Sequence, residues 1–237
     1  MQRSSIRVGG VETFSTVDFP DKISAVVFMQ GCPWRCPFCH NAVLQKADYD
    51  SGFIWEKFID FLKTRQKILD GVVFSGGEPL LQDELESAVR EVKQLGFQIG
   101  LHTGGYRPSH LEKILPLVDW VGLDIKAPLV SEHYSRAIGC SAALQLPNIL
   151  KSLQILLDGS ADFECRTTCD PRILSIADIA RIGEELSSRG VKKYFLQKYR
   201  PIKTDLKTQD ADCESFFLNE KLLSDLKAKF SVFGVRK

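Results

Sequence analysis

Long apolar runs are missing from this sequence. Its first apolar stretch, ISAVVFMQ, starts after residue 22 and is too short to span a bilayer, and the opening MQRSSIRVGG is polar where a secretory leader would be apolar. Export and membrane insertion are therefore not expected, and the chain reads as cytoplasmic with no membrane partner. Charge of one sign is scarce too: 31 Lys and Arg against 30 Asp and Glu give a formal net charge of +1. That leaves no broad basic field, so no nucleic-acid partner is expected, although a local basic patch remains open. Internal repeats, low-complexity tracts and Gly/Ser linkers are absent as well. One domain over 1–237 is the expectation, with a core from about 22 to 200 and a C-terminal loop and helix over 200–237.

Disulfide staples are not needed, because a chain of this size buries roughly 70% of its unfolded surface. The seven cysteines, an odd number, face a reducing compartment, where thiols more often bind metal or do chemistry than pair.

What is present is a repeated alternation. Apolar, β-branched runs predict strands at 23–29, 71–75, 97–102, 120–125, 162–168 and 192–197. Several are apolar nearly throughout, as parallel strands covered on both faces tend to be. Helix-length segments lie between them at 55–69, 83–96, 109–118, 143–159 and 175–190. In the last of these, Ser175 and Asp178 are placed to share capping of the first turn. The stretch 200–218 is unpatterned and reads as a long loop, followed by a final helix over 219–230. Six strands alternating with helices predict an α/β fold with a parallel sheet, either doubly wound or an open partial barrel. Six units are too few for the eight of a closed TIM barrel.

In such folds the chemistry gathers at the C-terminal strand ends, and the unusual motifs sit there. GCPWRCPFCHN follows the first predicted strand, GGEP the second, HTGG ends the third and DIK the fourth. Cys32, Cys36 and Cys39 place three thiols within eight residues. Thiolates suit zinc or iron–sulfur clusters. A structural zinc site needs four ligands; His40 is available, but its adjacency to Cys39 makes joint binding of one small ion awkward, and no second C-x-x-C pair exists. Three buried thiols without metal are the blandest alternative. The remaining one is a 4Fe-4S cluster bound by three cysteines, with one iron left open for a ligand.

The spacing C-x-x-x-C-x-x-C with Phe38 before the third cysteine resembles the signature of the radical S-adenosylmethionine (SAM) superfamily. The longer stretch VDFPDKISAVVFMQGCPWRCPFCHN, then GGEP and DIKAP, is similar to glycyl-radical-enzyme activating proteins, above all the anaerobic ribonucleoside-triphosphate reductase activators. The resemblance runs from about residue 12 to 170. It implies a partial (βα)6 TIM-like barrel, and a 4Fe-4S cluster held by Cys32, Cys36 and Cys39 that cleaves SAM reductively. The 5′-deoxyadenosyl radical released takes a hydrogen from a glycine of a partner, a glycyl radical enzyme such as anaerobic ribonucleotide reductase. A flavodoxin- or ferredoxin-like protein is the implied electron donor. A radical SAM enzyme acting on a small metabolite or modified nucleobase is the alternative.

Carried over residue by residue, the resemblance puts Phe38 and the backbone through Cys39 and His40 near the adenine of SAM. His40 has a second reading, in which it packs and hydrogen-bonds to position the loop. Gly76, Gly77, Glu78 and Pro79 match the family's GGEP, with the Glu78 carboxylate or nearby carbonyls accepting from the SAM ammonium. His102-Thr103-Gly104-Gly105 departs at two positions from the D-T-N-G of many activators, which leaves Thr103 as the expected contact there. Asp124 and Lys126 share one strand face and either hold opposite charges of SAM or pair with each other. Arg166, expensive to bury alone, is aimed at a SAM carboxylate or a rim acid, or else sits in a structural ion pair. Gln197 and Tyr199 are placed near the ribose. Cys140, Cys165, Cys169 and Cys213 are too scattered for a second cluster and read as core cysteines.

Overall fold

The computed structural model describes residues 6–201 and 210–237. Eight strands form one sheet: β1 (Val8–Ser15), β2 (Ser24–Met29), β3 (Gly71–Gly76), β4 (Gln98–Thr103), β5 (Trp120–Asp124), β6 (Asp162–Cys169), β7 (Lys193–Lys198) and β8 (Val232–Arg236). They follow chain order from β1 to β8, so β1 and β8 are the two outer strands and the sheet is unclosed. The pairs β2–β3, β3–β4, β6–β7 and β7–β8 are parallel. The α/β class with parallel strands holds, and the six expected strands appear within a residue of their places.

Two strands lie beyond the expected six. β1 pairs antiparallel with β2, and its sequence VGGVETFS is half exposed and opens on Gly9-Gly10, so it carries no unbroken apolar signal. β8 is a short outer strand, likewise only part-buried.

The helices are α1 (Trp55–Lys63), α2 (Leu85–Gln94), α3 (Pro108–Ile114), α4 (Ser131–Ile138), α5 (Gln145–Asp158), α6 (Ile176–Ser188), α7 (Asp210–Leu218) and α8 (Glu220–Lys229). At the start of α6, the Asp178 N–H donates to Ser175 Oγ and the Ser175 N–H to the Asp178 carboxylate, the reciprocal cap expected from sequence. α1 stops at Lys63 rather than continuing to residue 69, and Ile68 is exposed. α4 was not foreseen; its apolar stripe is only Tyr134, Ala137 and Ile138. The loop expected over 200–218 lies partly outside the described residues, and its end is α7 instead. Cys213, Phe216 and Phe217 are buried there at helical spacing, a stripe too short to read from sequence. No helix among the described residues is long and apolar enough to cross a membrane.

The chain divides into two compact units. One comprises Met1–Pro33, Asn41–Gly122 and Asn148–Asp162, the other Trp34–His40, Leu123–Pro147 and Phe163–Lys237. In the first, Phe19 stacks on Trp120 at 5.7 Å between ring centroids, beside Val26 and Val73. In the second, Tyr194 packs on Phe230 at 5.1 Å and Ile179, Ile182 and Leu186 line the buried side of α6.

Candidate active site

In the first unit, the chain leaves β2 at Gln30 and enters the cysteine loop. Backbone bonds tie its start to the returning segment 42–46: the Gly31 N–H donates to the Leu44 carbonyl at 2.7 Å and the Cys32 N–H to that of Gln45 at 3.3 Å. The Gln30 amide donates to the carbonyls of Val43 and Lys46 at 3.1 and 2.6 Å. Gln82 works beside it, donating to the carbonyls of Arg7 and Gln30 at 2.7 and 3.0 Å and accepting from the Arg7 N–H at 2.8 Å. Sequence reasoning missed both glutamines. Their cue was a lone amide closing an apolar run, in VVFMQ and in PLLQ.

GGEP turns out of β3 directly against this start. The Gly77 N–H donates to the Met29 carbonyl and the Glu78 N–H to the Gly31 carbonyl, each at 2.9 Å. A Cβ on Gly77 would sit 2.1 Å from the Gly31 oxygen, so the glycine is required by the protein's own backbone.

Glu78 is buried at 2% exposure, and its carboxylate oxygens accept from the Thr103 hydroxyl at 2.5 Å, the Gly104 N–H at 2.8 Å and the Leu80 N–H at 3.1 Å. The carboxylate thus clamps the β3 turn to the β4 turn. Thr103 is committed to the same clamp, since its hydroxyl also accepts from the Gly105 N–H at 2.9 Å. His102 faces elsewhere: Nε2 donates to the Asp18 carbonyl at 2.8 Å and Nδ1 lies 3.2 Å from Ser75 Oγ. That is a structural role, as its poor match to the family pattern suggested. Glu78→Gln replaces one acceptor oxygen by an amide that faces a donor. It is expected to lower unfolding stability by about 1–3 kcal/mol, the cost of an unmet buried group; urea titration checks this, and an unchanged midpoint would mean that the clamp is not needed.

In the second unit, WRCPFCH shares its surroundings with Lys126, which follows β5. Arg166, nearly buried, donates from Nη2 and Nε to Asp124 Oδ1 at 2.8 and 3.0 Å, and the Lys126 ammonium lies 3.2 Å from Oδ2 of the same carboxylate. Among the sequence readings for Arg166, the observed partner is an acid, Asp124, in an ion pair. One carboxylate between two cations gives this trio a net charge of +1. The Lys126 ammonium also lies 5.7 Å from the Trp34 ring centre and 5.9 Å from that of Phe38.

Two supports of this loop were not foreseen. Tyr134 of α4 is fully buried, and its hydroxyl accepts from the Lys126 N–H at 3.2 Å. The Arg35 N–H donates to the Ile138 carbonyl at 2.8 Å, and Gly139, at φ 66°, follows; a Cβ there would meet the Arg35 oxygen at 2.2 Å.

His40 Nε2 lies 2.7 Å from the Arg200 carbonyl and the ring stacks on Tyr199 at 5.4 Å. Gln197 is half-buried near the end of β7.

Burial pushes the Cys36 thiol up to about 11; Lys126 opposes the rise, and Cys39 and Asp124 add to it. Without metal Cys36 therefore keeps its proton at neutral pH, and a soft cation must displace it, which couples metal uptake to proton release. Three soft thiolates within eight residues fit an iron–sulfur cluster, and His40 has its Nε2 engaged with the Arg200 carbonyl.

Comparison with known proteins agrees. The Radical SAM superfamily profile matches residues 26–141. The protein MJ1227 of Methanocaldococcus jannaschii, named as a glycyl-radical enzyme activating enzyme, is 32% identical over 202 residues, covering 82% of this chain and 80% of its own. The pyruvate formate-lyase-activating enzyme of Clostridium pasteurianum is 36% identical over 125 residues, 51% of this chain and 52% of that one. Among solved structures, Streptococcus suis SuiB bound to S-adenosylmethionine superposes with a TM-score of 0.64 at 13% identity, covering 88% of this chain and 45% of SuiB, a likeness of fold.

Proposed function

Because this chain belongs to the radical SAM superfamily, and within it to the glycyl-radical-enzyme activating enzymes, we propose that it installs a radical on a backbone glycine of an anaerobic ribonucleotide reductase. The observation that carries the reading is the three-cysteine loop leaving β2 with GGEP folded against its start.

Cys32, Cys36 and Cys39 hold the 4Fe-4S cluster, which when bound supplies the electron that splits the sulfonium–carbon bond of SAM. The chain's own residues bind and orient. Carbonyls of the Gly76-Gly77 turn accept from the SAM ammonium, while Glu78 and Pro79 hold that turn from behind. Lys126 and Arg166, with Asp124 between them, meet the SAM carboxylate with their surplus of positive charge. Phe38 and the backbone from Cys39 to His40 line the adenine side. The reading places the chain in the cytoplasm beside a flavodoxin- or ferredoxin-like electron donor.

The choice of ribonucleotide reductase rests on the resemblance carried by residues 17–41, GGEP and DIKAP. A second partner, pyruvate formate-lyase, is favoured by the name of the Clostridium relative. Anaerobic incubation of the iron-loaded chain with SAM, reductant and each candidate enzyme, followed by electron paramagnetic resonance, separates them. A glycyl-radical doublet on the reductase alone is the expected result. A doublet only on the lyase reassigns the partner. Silence on both, while each is activated by its own activator, overturns the proposal.

A further inference from the structure

We propose that Tyr199 is a positioning residue for the iron–sulfur cluster, fixing the Cys39 end of the cysteine loop through the ring of His40; this rests on the function proposed above. His40 directly follows the third cysteine. Its imidazole is held on one face and at one edge: the ring lies over Tyr199 with centroids 5.4 Å apart and planes 22° from parallel, and Nε2 is 2.7 Å from the Arg200 carbonyl. A carbonyl only accepts, so Nε2 carries the ring proton.

Tyr199 is itself braced. It is fully buried, and the Arg172 guanidinium sits 4.7 Å over its ring. That guanidinium is clamped in turn by Asp170, a wholly buried carboxylate that takes Nε at 3.0 and 3.1 Å, Nη2 at 2.6 Å and the Arg172 N–H at 2.9 Å. A continuous line of contacts runs from a buried acid through guanidinium, phenol and imidazole to the residue beside Cys39. The Cys39 N–H donates to the Cys36 carbonyl at 3.1 Å, so a shift at this end is passed to a second ligand. Supports of this kind orient ligands and tune the metal they hold.

The test compares iron-loaded chains under anaerobic challenge with a chelator, following loss of visible absorbance. Tyr199→Leu removes the ring pair and is expected to lose iron about two- to tenfold faster, the scale of one aromatic contact. Its reduced cluster should also show a shifted reduction potential. Tyr199→Phe keeps the ring and should match the parent in iron retention and in SAM affinity. Should Tyr199→Leu fail to fold, His40→Ala at an exposed position reads the same contact and should show the same faster loss. Parental retention in Tyr199→Leu, or in His40→Ala where that variant stands in for it, would overturn the proposal, as would a loss of SAM affinity in Tyr199→Phe, which would make the hydroxyl a ligand contact. A parent chain that takes up no cluster at all would instead sink the proposed function.

Discussion

Cys36→Ala, reconstituted anaerobically with iron and sulfide, should come out without the brown colour of a cluster and should release no 5′-deoxyadenosine from SAM. The expected loss exceeds about 100-fold, because even removal of a residue that only supports a metal ligand commonly costs 10- to 100-fold. The middle cysteine is the sharpest choice. Burial pushes its thiol up to about 11, so removing it takes away a ligand whose proton the metal has to displace. Cys140→Ala, outside the loop, is the control and should load normally. If Cys36→Ala formed 5′-deoxyadenosine at the parental rate, the ligand assignment would be wrong.

Gly77→Ala is expected to be nearly as damaging, for a steric reason. Its methyl would lie 2.1 Å from the Gly31 oxygen, 2.8 Å from the Gly31 carbonyl carbon and 3.1 Å from the Met29 oxygen. All three are backbone atoms, with no side chain to swing aside. Relief requires a displacement on the order of 1 Å at the residue before Cys32, and misplacement of that size in a catalytic constellation costs about 100-fold in rate. Iron content and SAM affinity should fall together in equilibrium dialysis. Gly10→Ala, where a methyl meets nothing within 4 Å, should change neither. A Gly77→Ala chain that kept both at parental values would show that the turn tolerates a shift the geometry says it does not.

From sequence alone, that glycine reads as part of a GGEP whose carbonyls meet SAM, a reading that would leave the cluster loop untouched. The structure assigns the space beside its Cα to the chain itself. The contrast marks what was legible. Strands β2, β3 and β5 announce themselves because covered strands are apolar nearly throughout, and the cysteine loop does so because its ligands are local, within eight residues. β1 and β8 do not, since half-exposed outer strands lack that run. The supports of the site were hidden for another reason. Glu78 finds Gly104 across 26 positions, Arg166 finds Asp124 across 42 and Gln82 finds Arg7 across 75. Distances of that kind are set by how strands are stacked side by side, and no window of periodicity contains them.

The hydrogen bond from His40 to the Arg200 carbonyl spans 160 positions, and that span is also an interval of time. Translation at about 5–20 residues per second delivers the three thiols roughly 8–32 s before the oxygen that holds their far end exists. Throughout that interval a nascent chain lacks the tie beyond the last of its three cysteines.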